Sequence, residues 1–290
     1  MKSRALLGIT LGAVLLLAGC AANRRPAQGS TAAANNSSSL NDGYRELPGD
    51  KNIKNPEVAY NLALESQQKG DMEAAHHYIA LAMKLQPDSK YSFVQGVFFL
   101  QEQKYPQAAA WLQRSLEQGP GTTENRMRIL NALGASYMQM GNDQQALKYL
   151  REVVNTPGPI TRYQAYYNMG IIYFRQKKYL DAEADFMKVL SENNSYYPAM
   201  NKLGLIWASR GDWNKASGYY KRALKLLESN YDAYQASGAE IYYNYAEALF
   251  HLKQYAECRK TLMKVLDIGP ESKYGQKAKA MLAKLGGPPQ

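Results

Sequence analysis

Residues 163–196 read YQAYYNMGIIYFRQKKYLDAEADFMKVLSENNSY, and this stretch decides the fold. Tyr166, Met169, Gly170 and Tyr173 are spaced three, one and three apart, which is one face of a helix. Lys177-Lys178 breaks the apolar pattern, and Ala182, Phe186 and Val189 restart it at helical spacing. The 34 residues therefore encode a helix, a turn and a second helix. The same pattern recurs on both sides, six times between Pro56 and Pro270. Its eighth position is small: Ala63, Gly96, Gly134, Gly170, Gly204, Ala246. Twelve residues on stands another small residue: Ala75, Ala108, Ala146, Ala182, Ala216, Cys258. Four after that comes a bulky apolar one: Ile79, Leu112, Leu150, Phe186, Tyr220, Leu262. A repeat of this length means stacked supersecondary units and not one globular core.

The small residues let paired helices approach closely. Gly70, Gly141 and Gly211 fall between the two helices, where Gly supplies a left-handed backbone conformation. An aromatic follows the turn in several copies (Tyr105, Tyr179, Trp213, Tyr255) and can wedge between units. Pro87, Pro120 and Pro270 stop second helices.

This pattern resembles the tetratricopeptide-repeat family over about three quarters of the chain. The resemblance implies an all-α fold: a right-handed superhelical solenoid of six helix-turn-helix repeats with a concave groove lined mainly by first helices. The repeats are expected near 56–88, 89–122, 127–160, 163–196, 197–230 and 239–270, within a domain over 51–290. Insertions fall at Gly119–Thr123, Pro157-Gly158-Pro159 and Tyr231–Gly238. The last is either a loop or an extension of the sixth repeat's first helix. Ala278, Met281, Leu282 and Leu285 then share one side of a capping helix over 272–285, shielding the last apolar face.

The N-terminus carries a different message. Lys2 and Arg4 precede an uncharged apolar run, Ala5 to Ala18, too short for a spanning helix and ordered like a secretory signal. The run ends Leu17-Ala18-Gly19-Cys20, which resembles the bacterial lipobox. That resemblance implies a signal peptide over 1–19, a lipidated Cys20 and, from Ala21, sorting to the outer membrane with the repeats in the periplasm. Residues 20–50, rich in Ala, Asn, Ser and Gly, read as a disordered tether. About 30 flexible residues reach about 30 Å.

Composition narrows the function classes. The formal charge of +10 becomes +8 when Lys2 and Arg4 leave with the signal. The excess sits mostly in second helices and the C-terminal third: Lys221, Arg222, Lys225, Arg259, Lys260, Lys264, Lys273. This is a solvated face, or a contact for anionic lipid, peptidoglycan or an acidic partner. No nucleic-acid motif is present, and an exported chain meets none. With Cys20 acylated, Cys258 has no intramolecular partner and reads as a small buried residue. His76 and His77 point in different directions on a helix, His251 is distant, and metal-ligand spacings are absent. Gly119-Pro120-Gly121 is a turn, lacking the Lys-Ser/Thr of a phosphate loop. No enzyme, metal, cofactor or small-molecule substrate is expected. Asn61, Asn168 and Asn244 share the position where chaperone-binding relatives hold a carboxylate, although Asn is common there throughout the family.

Positions two, five, nine and twelve of each first helix are expected to face the groove. They include Lys90, Phe93, Val97 and Leu100 in repeat two, and Gln164, Tyr167, Ile171 and Phe174 in repeat four. Repeat five adds Leu205, and repeat six adds Tyr243 and Phe250. Charge is scarce among them, which points to an apolar segment of a partner protein. The alternative is burial against adjoining first helices. Ile129–Gly134, the insertion at 157–159 and Ala165–Gly170 resemble the middle of outer-membrane lipoproteins of type IV pilus biogenesis, the pilotins. That implies assistance to the localisation and assembly of the secretin subunit. A second class is a lipoprotein adaptor for peptidoglycan hydrolases or for the outer-membrane protein insertion machinery.

Overall fold

The computed structural model describes residues 47–157 and 162–286, apart from the side chains of 231, 233 and 236. The leader, Cys20 and the tether as far as residue 46 lie outside the described residues, as do 158–161 of the Pro-rich insertion. Among the described residues the chain is all α, with no strand.

Repeat one is α1 (Pro56–Gln68) and α2 (Met72–Leu85), and repeat two is α3 (Ser89–Gln101) and α4 (Tyr105–Glu117). Repeat three is α5 (Thr123–Gln139) and α6 (Asp143–Asn155), and repeat four is α7 (Tyr163–Arg175) and α8 (Tyr179–Glu192). Repeat five is α9 (Tyr197–Ser209) and α10 (Trp213–Leu227), and repeat six is α11 (Tyr231–His251) and α12 (Tyr255–Ile268). The capping helix is α13 (Lys273–Lys284). The chain divides into two compact units between Ile172 and Tyr173, each described below by itself.

Local chemistry starts these helices. Asn55, Asp71, Asp88, Thr122, Asn142, Asp212 and Ser272 each accept a hydrogen bond from a backbone N–H in the first turn that follows. Each such cap contributes about 1 kcal/mol. The turns within repeats need a left-handed residue: φ is +81° at Gly70, +76° at Gly141 and +79° at Gly211. Gln103, Lys177 and Lys253 take that conformation in the even-numbered repeats without a glycine's freedom, at φ 60°, 59° and 61°.

Packing within repeats follows the small-residue rule. A Cβ on Gly96 would lie 2.7 Å from Leu112 Cγ, and one on Gly134 would lie 2.5 Å from Leu150 Cδ2. The first unit's core includes Ile79, Tyr91, Phe98, Leu112, Leu130 and Leu133. The second includes Tyr220, Leu227, Ile241, Leu249, Cys258 and Leu262, closed by Ala278 and Leu282 of the capping helix.

Two boundaries differ from the sequence reading, and one that it left open is decided. Repeat three's first helix opens at Thr123 and not near Met127, because Thr122 caps it at the Asn125 N–H. Residues 231–238 are helical, so repeat six's first helix is one continuous element of 21 residues. Gly238 permits this: a Cβ there would lie 2.9 Å from Ile268 Cδ1 on α12. The last residues assigned to the tether, 47–50, are held on repeat one. His77 Nε2 lies 3.0 Å from Asp50 Oδ1, and Asp50 Oδ2 accepts from the Leu47 N–H at 2.7 Å.

Candidate functional site

Successive first helices in the first unit place positions two and five side by side. Position two holds Glu57, Lys90 and Arg128; position five holds Tyr60, Phe93 and Asn131. Between α1, α3 and α5 a cleft of about 440 Å³ opens. Tyr60, Phe93, Val94 and Ile129 give it apolar walls, Lys90 and Arg128 bring cations and Asp88 a carboxylate, Ser89 and Asn125 add neutral polar groups, and Gly119-Pro120-Gly121 forms one rim.

The cleft is braced from behind. Ser89 Oγ donates to the Ser115 carbonyl and Ser115 Oγ to the Ser89 carbonyl, both at 2.7 Å. The Lys90 ammonium donates to Glu57 Oε1, and the Tyr91 hydroxyl donates to the same oxygen at 2.8 Å. The Lys90 hydrogen bond holds the Glu57 carboxyl below its ordinary value. Burial, with Glu57 accepting its proton, pushes the Tyr91 phenol up. The Lys90 Nζ also sits 5.5 Å from the Tyr60 ring centroid and 4.9 Å from that of Tyr91. Among the described residues Arg128 is held by the neighbouring Glu124 at 2.5 Å, an exposed pair one helical turn apart. Such a pair is worth a few tenths of a kcal/mol, roughly 0.3–0.5, and gives way to a better partner.

The nine apolar positions expected in the groove do not behave alike. Phe93, Phe174, Leu205 and Phe250 are half-buried. Val97, Leu100, Tyr167, Ile171 and Tyr243 are buried, at 3%, 7%, 4%, 2% and 8% exposure. These five present almost no surface to a partner, so the open-groove expectation is corrected for them. In the second unit the cause is visible. Neighbouring first helices approach closely enough for Asn201 Nδ2 to donate to Glu240 Oε1 at 3.0 Å, and Tyr243 is covered by the Tyr274 ring at 5.8 Å. Of the nine, only Phe93 lines the cleft. Phe174 packs edge-on against Tyr179, and Phe250 against Tyr255.

The three asparagines that share the repeat position stand in different surroundings. Asn61 is exposed and Asn168 buried, while Asn244 Nδ2 donates to Asn201 Oδ1 at 3.1 Å. Among the described residues no group of three His, Cys, Asp or Glu converges on a metal position. No helix among them is long and apolar enough to cross a membrane. Cys258 is buried and donates to the Ala246 carbonyl, and burial pushes its thiol up to about 11. Tyr60 and Arg128 are absent from the groove positions read from the sequence. They occupy positions five and two of repeats one and three, so the repeat register itself could have found them.

Models of the tetratricopeptide repeat match residues 31–157, 163–196 and 215–282. Among solved structures the chain is similar to PilW, titled a widely conserved type IV pilus biogenesis factor. Identity is 19% and the TM-score 0.65, over 77% of this chain and 97% of PilW. It is similar to Pseudomonas aeruginosa PilF at 17% identity and TM-score 0.65, over 80% of this chain and 99% of PilF. It is also similar to a chain of the Cut9–Hcn1 heterotetramer of the APC/C, at 14% identity and TM-score 0.58, over 80% of this chain but 40% of that one. At these identities the likeness is one of fold. Three matches to one repeat, falling on helix pairs whose glycines and caps explain them, make this a tetratricopeptide-repeat protein.

Proposed function

We propose that this chain is an outer-membrane lipoprotein, anchored through Cys20, that holds an apolar segment of a protein partner along its first helices. We assign it the role of a pilotin, which assists localisation and assembly of the type IV pilus secretin. The observation that carries the reading is the cleft between α1, α3 and α5. It is a concavity of mixed lining, with half-buried Phe93 in its apolar wall and Lys90, Arg128 and Asp88 among its polar groups. The lipobox-like ending at Cys20 supports envelope placement. The likeness to PilW and PilF over nearly their whole lengths supports the pilus assignment.

Deleting the gene tests the role. Secretin multimers should disappear while monomer persists, and normal multimers would reject it. Pull-down from detergent-solubilised envelope separates the classes. Secretin supports the pilotin reading; peptidoglycan hydrolases or the barrel-insertion machinery would move the chain to the adaptor class.

A further inference from the structure

The side of α8 away from its core carries an unpartnered apolar stripe. Leu180 is 77% exposed and Met187 48% exposed, the former the most exposed large apolar residue among those described. Ala184 is exposed between them, and the spacing of four and three puts all three on one face. The stripe continues onto α10, where the Tyr219 hydroxyl meets Met187 Sδ at 3.6 Å. The Arg222 guanidinium lies 5.8 Å from the Tyr219 ring centroid. Beyond it α10 is basic: Trp213–Leu227 contains Lys215, Lys221, Arg222 and Lys225 and no Asp or Glu. Lys221, Arg222 and Lys225 are exposed and take part in no salt bridge among the described residues. The acids of α8 nearest the stripe are largely answered: Glu183 by Arg210 at 2.7 Å and Asp185 by Lys188 at 3.8 Å, leaving Asp181 and Glu192 exposed.

We propose that this α8–α10 face is a docking surface for an anionic phospholipid bilayer. Charge complementarity is the first reason. Residues 173–286 carry 18 Lys and Arg against 12 Asp and Glu, whereas 47–172 carry 12 against 11. The basic excess therefore belongs to the unit that bears the stripe, and on this face it lies on α10, since α8 carries four acids against Lys188. The second reason is relief. Leu180 and Met187 protrude, and a bilayer interface accepts protruding apolar side chains with Tyr at the boundary and cations at the headgroups. An amphipathic helix of a partner is held in a groove, as the cleft of the first unit could do. The third reason is the anchor. A lipid on Cys20, which the proposed function assigns, would keep the whole chain beside a membrane, and this reason rests on that reading. Tethering raises the effective concentration, so a weak patch suffices. The surface is separate from the partner cleft and does not need it.

The test uses the chain from residue 20 onward with Cys20→Ala, so that no acyl chain drives partition. Phosphatidylethanolamine–phosphatidylglycerol vesicles should sediment it and protect the amides of 179–192 and 213–227 from hydrogen exchange. Pure phosphatidylcholine vesicles should do neither. Lys221→Gln, Arg222→Gln and Lys225→Gln together should weaken partition about a hundredfold at low salt. Leu180→Glu with Met187→Glu should abolish it while far-UV dichroism and melting stay unchanged, both side chains being exposed already. Phe93→Glu should leave it unaltered, which keeps this surface distinct from the partner cleft. Failure to bind anionic vesicles, or binding unchanged in the α8 and α10 variants, overturns the proposal. So does concentration-dependent dimerisation lost in the Leu180→Glu, Met187→Glu chain, which would assign the stripe to a second copy.

Discussion

Gly204 lies directly against the ring of Tyr220: a Cβ on Gly204 would come within 2.4 Å of Tyr220 Cε1. Tyr220 is 1% exposed and cannot swing away. Gly204→Ala should therefore destabilise the second unit by about 1–3 kcal/mol through overpacking. The better helix propensity of Ala returns at most about 1 kcal/mol. Repeats one and six show the remedy, since Ala63 and Ala246 stand at this position opposite Ile79 and Leu262. Adding Tyr220→Leu to Gly204→Ala should recover part of the loss, as read by urea unfolding.

The turns predict a gain. Lys177 and Lys253 sit at φ 59° and 61°, where a side chain is strained and Gly is not. Lys253→Gly should stabilise by up to about 1 kcal/mol, and Gly211→Ala should cost about that much. Thermal melts of both variants would decide. A loss on Lys253→Gly would mean that the lysine side chain makes up for its own strain.

The capping helix packs Gly275 closely against backbone. A Cβ on Gly275 would fall 2.2 Å from the Gly269 carbonyl oxygen and 2.5 Å from that of Pro270. Neither oxygen belongs to a flexible side chain. Gly275→Ala should displace α13 and withdraw Ala278 and Leu282 from the core. The expected cost is above about 2 kcal/mol. Hydrogen exchange should rise across 273–284 first, with α9 and α10 affected less.

The repeat was legible because its determinants are local. Gly at the eighth position, the bulky residue sixteen later and the turn glycines all act between helices adjacent in sequence. The state of 231–238 was left open between a loop and a helix extension, and the close approach of Gly238 to Ile268 on α12 goes with the helix. The groove was legible only in part. Phe93 and Val97 both lie on the groove side of α3 by helical spacing, yet one is half-buried and the other 3% exposed. Which of two residues on one face stays open depends on how far the next first helix advances, and a single repeat does not encode that distance. Positions 158–161 and Cys20, the proposed lipidation site, fall outside the described residues.

Acid should loosen the joint between repeats one and two. Burial alone would raise the Glu102 carboxyl. Hydrogen bonds from His76, at 2.9 Å, and from Lys104 outweigh it and hold Glu102 below its ordinary 4.5. A carboxyl lowered in the folded state stabilises fully above 4.5, and that contribution is lost as the pH falls through the lowered folded value. The melting temperature should fall in that window, and Glu102→Gln should flatten the fall. An unchanged slope in Glu102→Gln would place the acid sensitivity elsewhere.

The partner cleft is tested by two residues one turn apart on α3. Phe93 is half-buried in the cleft wall, so Phe93→Glu can turn its charge toward water. Phe93 also packs against two core clusters of the first unit, so the variant should lose about 1–2 kcal/mol, less than Val97→Glu. Partner affinity should drop at least about tenfold, since an apolar segment would then face a carboxylate. Val97 is 3% exposed, and Val97→Glu buries a charge without a partner, which should cost at least about 3 kcal/mol. Circular dichroism melts and binding titrations on the same two variants separate packing from recognition. If Phe93→Glu melts like Val97→Glu, the cleft wall is core. If Phe93→Glu stays folded and binds as tightly as the parent, the partner lies on another surface.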